Sequence, residues 1–288
     1  MSEMEASDGD TRGHHGREAG IHLNGATIMT TPTATHLEIA RAVGYAGVEV
    51  RAERLLDAPS ELEDAVREAH VEPGEVWSLN GIQLQLGPDG RLDRRRLDRD
   101  MPPRLAICRQ LVTQYLLVVP PRADGADRTL AIQAMRDGLE ILRDAASRDD
   151  VGVAFEFLGF ADCPIDSPAL AGEVVAGLDG VDLVLDSCHW HASGSGSLDP
   201  FPVERLAMVH LNDAPEKPPR EIEDADRLLP GRGVIRLAEL IAGLRSRGYA
   251  GPWSLETFNH SYWSEPPERV AADGLAAVQA VLAETATS

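Results

Sequence analysis

The chain has 288 residues, 43% of them hydrophobic and 5% aromatic, which is enough for one large core. Its net charge of −20 argues against a binder of phosphate backbones, which needs a basic face, so no nucleic-acid partner is expected. No apolar run reaches the roughly 20 residues of a membrane span, and no basic-then-apolar leader is visible, so no membrane partner and a cytoplasmic setting are expected.

Residues 1–19 are polar and without periodicity, and are expected to form a disordered extension. His14 and His15 fall inside it, where a native metal site is not expected. Residues 20–288 then read as one domain. Apolar runs at Ile21–Ala26, Gly47–Arg51, Glu75–Asn80, Tyr115–Val119, Val151–Phe157, Val181–Asp186, Ala207–Leu211 and Trp253–Glu256 predict eight strands. Between them, stretches such as Thr35–Val43, Glu61–Ala69 and Leu130–Ala146 repeat apolar residues every three or four positions and predict amphipathic helices. The run Arg91–Arg99 is basic but interrupted by aspartates, and reads as a solvated helix face. Eight strand–helix units predict an α/β fold, a closed (β/α)8 TIM barrel, with an open doubly wound sheet as the alternative. No G-x-G-x-x-G or phosphate loop follows any strand, which removes the main support for nucleotide binding.

Two residue types narrow the chemistry. Lys217 is the only lysine and lies in a Pro-rich loop, which argues against Schiff-base catalysis. Cys108, Cys163 and Cys188 are odd in number, widely spaced and without a C-x-x-C pair, as suits a reducing compartment. Cys188 sits in a notable motif but reads as a small buried filler.

In a (β/α)8 barrel the active site is built at the C-terminal ends of the strands. Strand five ends near Glu156 and strand six at Asp186, followed by His189 and His191. Strand seven carries His210, with Asp213 beyond it, and strand eight carries Glu256, with His260 beyond it. Glu156, Asp186, His210 and Glu256 thus arrive on one rim from four consecutive strands. Three hard oxygens and one imidazole nitrogen suit one divalent cation: Mn²⁺ first, with Mg²⁺, Co²⁺ or Zn²⁺ as other candidates. After strand seven, the segment Asp226–Gly233 offers Arg227 or Arg232 to a substrate oxygen, and its glycines allow backbone to approach a ligand.

At these positions the chain resembles the xylose-isomerase-like barrel superfamily of sugar isomerases and epimerases, and within it the inosose isomerases. The resemblance runs from about Asn24 to Ala272. It is carried by GYAGVEVR (Gly44–Arg51), FEFLGFADC (Phe155–Cys163), LVLDSCHWHASGS (Leu183–Ser195), HLNDAP (His210–Pro215) and DADRLLPGRG (Asp224–Gly233). It implies the same four metal ligands, a substrate-contacting His189 and an oxygen-holding Arg227; His191 and Asn80 are read beside these as weaker substrate contacts. The implied substrate is a small polyhydroxy ketone, an inosose or ketose. The implied reaction is proton abstraction alpha to the carbonyl through an enediolate that the cation stabilises, with Glu156 and Glu256 as acid and base. Gly25 after Asn24, and Arg232 in P-G-x-G, depart from the family pattern where substrate is read.

Four rival expectations remain open on the same scaffold. A dehydratase of inosose or 3-dehydroshikimate begins with the same proton loss. A subunit cleaving carbon-linked glycosides would need a small partner, and a homo-oligomer is equally compatible. A barrel that binds a sugar or partner without turnover is the reading from another class. The related endonuclease branch is disfavoured by the acidic charge.

Overall fold

Gly20 opens the part of the chain that the computed structural model describes, residues 20–199 and 201–285. The extension expected over residues 1–19, with His14 and His15, lies outside the described residues. Eight strands follow: β1 (Ile21–Asn24), β2 (Gly47–Arg51), β3 (Val76–Gln83), β4 (Tyr115–Val119), β5 (Gly152–Glu156), β6 (Val181–Asp186), β7 (Leu206–Leu211) and β8 (Trp253–Leu255). Each pairs in parallel with its sequence neighbour, and β8 closes on β1 through Ile21↔Trp253, His22↔Ser254 and Leu23↔Leu255. The sheet is a closed barrel, and the open-sheet alternative is set aside.

Strand parity decides what faces where. In β4, Leu116 and Val118 join the main core under the helices, while Tyr115 and Leu117 join a second cluster with Ala154, Val184, Ala207 and Met208. That second cluster fills the barrel interior, as side chains do in barrels of this size. The same parity continues upward from Ala154 to Glu156, from Val184 to Asp186 and from Met208 to His210. Apolar filler therefore gives way to ionisable groups at the C-terminal mouth.

Differences from the expected elements are local. The first strand stops at Asn24 rather than Ala26, because the Asn24 side-chain oxygen accepts from the Ala26 N–H at 2.9 Å and turns the chain. The third strand runs on to Gln83, held by β4 across a register irregularity between Asn80 and Ile82. The helix Arg128–Ala146 starts two residues before the expected Leu130, where Asp127 accepts from the Leu130 N–H at 3.0 Å as its N-cap. The Arg91–Arg99 run becomes the first turns of the helix Arg94–Leu111. There Arg94 and Asp98 pair at 2.7 Å and Arg96 and Asp100 at 3.4 Å on exposed surface, so this is a solvated face. All three cysteines are buried and free. No described helix is long and apolar enough to cross a membrane.

Candidate active site at the barrel mouth

Glu156 ends β5, Asp186 ends β6, His210 is the penultimate residue of β7 and Glu256 directly follows β8. The four bury their polar ends together, with one ligand-type atom from each lying within 4.8 Å of all the others. His210 is fully buried; its Nδ1 lies 3.2 Å from Glu156 Oε1 and 3.3 Å from Glu256 Oε2. Asp186 is also the N-cap of the short helix Ser187–Ala192, where its Oδ1 accepts from the His189 N–H at 2.8 Å. Its Oδ2 accepts from Asn212 Nδ2 at 2.6 Å and from Arg227 Nη1 at 3.0 Å. Its direction is thereby set by three donors.

Several buried carboxylates this close repel one another and have lost their water. Burial and the neighbouring Glu256 and Asp186 charges raise the Glu156 carboxyl to about 7, against the pull of His210. Burial would also raise Glu256, but the charges of His210 and Arg227 overcome it and hold this carboxyl down at about 2. Burial works against charge on His210 too, yet Glu49, Glu256 and Glu156 together raise its imidazole well above the usual range. The cluster is thus a set of hard donors with more negative charge than its own cations comfortably balance. Three oxygens and one nitrogen on one face are the donor set a divalent cation takes.

The mouth holds a cavity of about 270 Å³, small even for a ligand pocket. Its floor is Glu156, Glu256, His189, Arg227 and Asn80, and its apolar walls include Leu117, Val119, Leu158, Phe160 and Phe258. His189 accepts from Arg227 Nη2 at 3.0 Å through Nε2 and is kept neutral by burial and by the Arg227 charge, so its proton sits on Nδ1, which has no partner. Phe160 packs edge-on against the His189 ring at 4.9 Å. Over Phe160 lies Arg122, which pairs with Asp162 at 2.8 Å and Glu223 at 2.8 Å and so ties three loops at the rim.

Of the residues expected from sequence, Glu156, Asp186, His210, Glu256, His189, Arg227 and Asn80 are brought together. Arg227 is not the free hand for substrate that was expected. Its guanidinium serves Asp186, Glu256 (2.8 Å), Asp224 (2.8 Å) and His189 and is 1% exposed, so it acts mainly as a clamp on the carboxylates. His191 is not brought to the cavity. Two positions beyond His189 on the same helix it points to another side, where its Nδ1 lies 3.4 Å from Ser195 Oγ. Arg232 is exposed and outside the cavity. Gly233 serves the fold rather than a ligand: its N–H donates to Asp213 Oδ2 at 2.9 Å, and a Cβ there would lie 2.1 Å from the Ala214 carbonyl oxygen. His260 stacks on Trp263 at 4.4 Å, away from the cluster.

Sequence reasoning missed Glu49, Asn24, Asn212, Arg51 and Phe258. Asn24 Nδ2 donates to Glu256 Oε1 at 2.9 Å and to Asn80 Oδ1 at 2.9 Å, so it ties the C-terminal end of β8 to β3. Arg51 lies over Phe258 at 5.3 Å on the cavity wall. The usable signal was parity: Glu49 and Arg51 alternate with Val48 and Val50, which places the charged pair on the inner face.

Fold and site together define a (β/α)8 barrel with a cation-type ligand cluster beside a small polar-floored cavity. The chain belongs to the xylose isomerase-like TIM barrel family, whose profile matches residues 37–281. It is 27% identical over 271 residues to an inosose isomerase of Bacillus velezensis, covering 90% of this chain and 95% of that one. It is 28% identical over 265 residues to a 3-dehydroshikimate dehydratase of Pseudomonas aeruginosa, covering 87% of this chain but 40% of the dehydratase. Among solved structures, the IolI protein with a bound zinc atom superposes with a TM-score of 0.83 at 23% identity, over 92% of this chain and 99% of the other.

Proposed function

We propose that this chain is a divalent-metal-dependent isomerase or epimerase of a small polyhydroxy ketone, an inosose first among candidates. The observation that carries the reading is the convergence of Glu156, Asp186, His210 and Glu256 within 4.8 Å of one another, beside a cavity fit for a small polyol. Likeness over 95% of the length of a protein named inosose isomerase supports the substrate class. Those four residues would hold the cation, with Mn²⁺ our first candidate. When bound, it supplies Lewis-acid polarisation to the carbonyl and neighbouring hydroxyl oxygens.

The chain's own groups do the rest. A carboxylate of Glu256 removes the proton from the carbon alpha to the ketone, and the Glu156 carboxyl, on the neighbouring side of the floor, delivers one back. Return to the former carbonyl carbon, with the hydroxyl proton passing from one enediolate oxygen to the other, shifts the carbonyl; return to the same carbon from the other face inverts that centre. The unpartnered His189 Nδ1–H is a donor for a substrate oxygen, and Arg227 keeps Glu256 and Asp186 in place. Asn80 lines the cavity floor beside them, its amide bonded to Asn24, Glu49 and Ser78.

The test is deuterium wash-in from D₂O into an inosose and a panel of ketoses with Mn²⁺ present. The expected result is one carbon-bound deuterium in a product otherwise equal in mass to the substrate. Loss of one water would favour the dehydratase reading, which the Pseudomonas relative keeps open. No exchange into any member of the panel would sink the proton-abstraction mechanism.

A pH dependence follows from the same cluster. Glu156, raised to about 7, and His210, raised well above 6.5, both hold protons in the metal-free chain. A raised pKa stabilises the fold fully below the unfolded value and loses that contribution as pH rises through the folded one. A cation must displace those same protons, so its affinity moves in the opposite direction. Thermal unfolding with and without saturating Mn²⁺ should therefore show an increment in Tm that grows from about pH 6 to about pH 8. An increment independent of pH would contradict the assignment.

A further inference from the structure

The barrel interior just below the ligand cluster is polar, where bulky branched residues usually pack. Glu49, in the middle of β2, is 1% exposed and lies on the far side of the His210 ring from the other three ligand-type residues. Its two oxygens lie 3.1 and 3.2 Å from His210 Nε2. Register places Glu49 beside Ser78 and His210 beside Ser254, and both serines donate to the Glu49 carboxylate, at 2.7 and 2.5 Å. Asn24 Nδ2 adds a further donor at 3.2 Å. The carboxylate is therefore held by donors from three other strands, β1, β3 and β8, while it faces His210.

We infer that Glu49 is the positioning residue of His210: it fixes the ring's orientation and keeps the proton on Nε2, so that Nδ1 presents its lone pair to a cation. The inference rests on the reading of Nδ1 as a metal ligand. A neutral imidazole has one N–H and one lone pair, and the nitrogen facing a carboxylate keeps the proton. The opposite tautomer would set the lone pair of Nε2 against an anion and leave Nδ1–H pointing among the ligand oxygens. Carboxylate partners of this kind raise ligand basicity as well as aligning the ring, and their loss typically weakens metal binding 10- to 100-fold, by about that factor without touching the metal. A purely structural Glu49 would instead change thermal stability and leave both tautomer and affinity alone.

The experiment uses the full chain with ¹⁵N-labelled histidine and Zn²⁺ as a diamagnetic probe, the His210 signals being assigned by their loss in His210→Gln. The expected wild-type spectrum shows a slowly exchanging proton on Nε2 and a metal-shifted Nδ1. A proton on Nδ1, or Zn²⁺ on Nε2, would overturn the inference, and this arm needs no Glu49 variant to fold. In Glu49→Gln, Zn²⁺ affinity measured by chelator competition should fall about 10- to 100-fold. A folded Glu49→Gln protein that binds Zn²⁺ as tightly as wild type would overturn the inference while leaving the metal site standing. Wild type that binds no Zn²⁺ overturns the metal reading and this inference with it.

Discussion

Glu256→Gln should lower kcat by about 10²- to 10⁴-fold, the range over which a positioned general base contributes. The substitution keeps the shape of the side chain and one oxygen, but removes the proton acceptor that the charges of His210 and Arg227 hold ionised. It also creates a conflict, since the native carboxylate accepts from Asn24 Nδ2 at 2.9 Å on one oxygen and from Arg227 Nη1 at 2.8 Å on the other. The new amide must turn its NH₂ toward one of these donors, so a loss of about 1–3 kcal/mol in stability accompanies the loss of turnover. Steady-state kinetics and metal content measured on the same preparation separate the two effects. Retained metal with lost deuterium wash-in assigns the proton transfer to this carboxylate; near-wild-type exchange would remove Glu256 as the base.

Asp186→Ala should weaken metal binding by roughly 10²- to 10³-fold, taking about 10–16 kcal/mol for a four-ligand zinc site and a quarter of that for one ligand. More is lost than a ligand. Asp186 caps the helix that carries His189 and is one of the three acidic partners of the buried Arg227. Leaving that buried guanidinium short of a partner should destabilise the metal-free protein by about 3–5 kcal/mol. Chelator competition and thermal unfolding read the two losses independently. Wild-type metal affinity in a folded Asp186→Ala protein would show that this carboxylate is not a ligand.

How far the site is legible in the sequence depends on where each residue stands in its strand. Asp186 and His210 end or nearly end their apolar runs, and Glu156 and Glu256 sit at the same height, so a rule about strand ends is enough to gather them. Glu49 is hidden because it lies between Val48 and Val50, inside a run read as hydrophobic; only inward parity within a closed barrel separates it from its neighbours. Arg227 lines the cavity, but its partners stand 41, 29 and 3 positions away, which no local motif shows. The Arg122 tie to Asp162 and Glu223 spans 40 and 101 positions and exists only once the loops are brought to one rim. His191 lies off the cavity lining for a simpler reason: residues two apart on a helix do not share a face.

The shape of the fold was more accessible than its edges. Eight alternations of apolar run and amphipathic helix suffice for a closed parallel barrel, and the helix Thr33–Val43 differs from expectation by two residues at one end only. Strand ends moved where a side chain intervened, as Asn24 does by capping its own turn. Those shifts leave the parity of the inner face unchanged, and the ligand cluster depends on parity.

The most direct measurement is anomalous diffraction at the manganese edge from crystals of the full chain grown with Mn²⁺. The account predicts one strong peak bounded by Glu156, Asp186, His210 Nδ1 and Glu256, with Glu49 still on the opposite nitrogen of the ring. A map with no peak between those four side chains, from protein that nonetheless turns over its substrate, would contradict it.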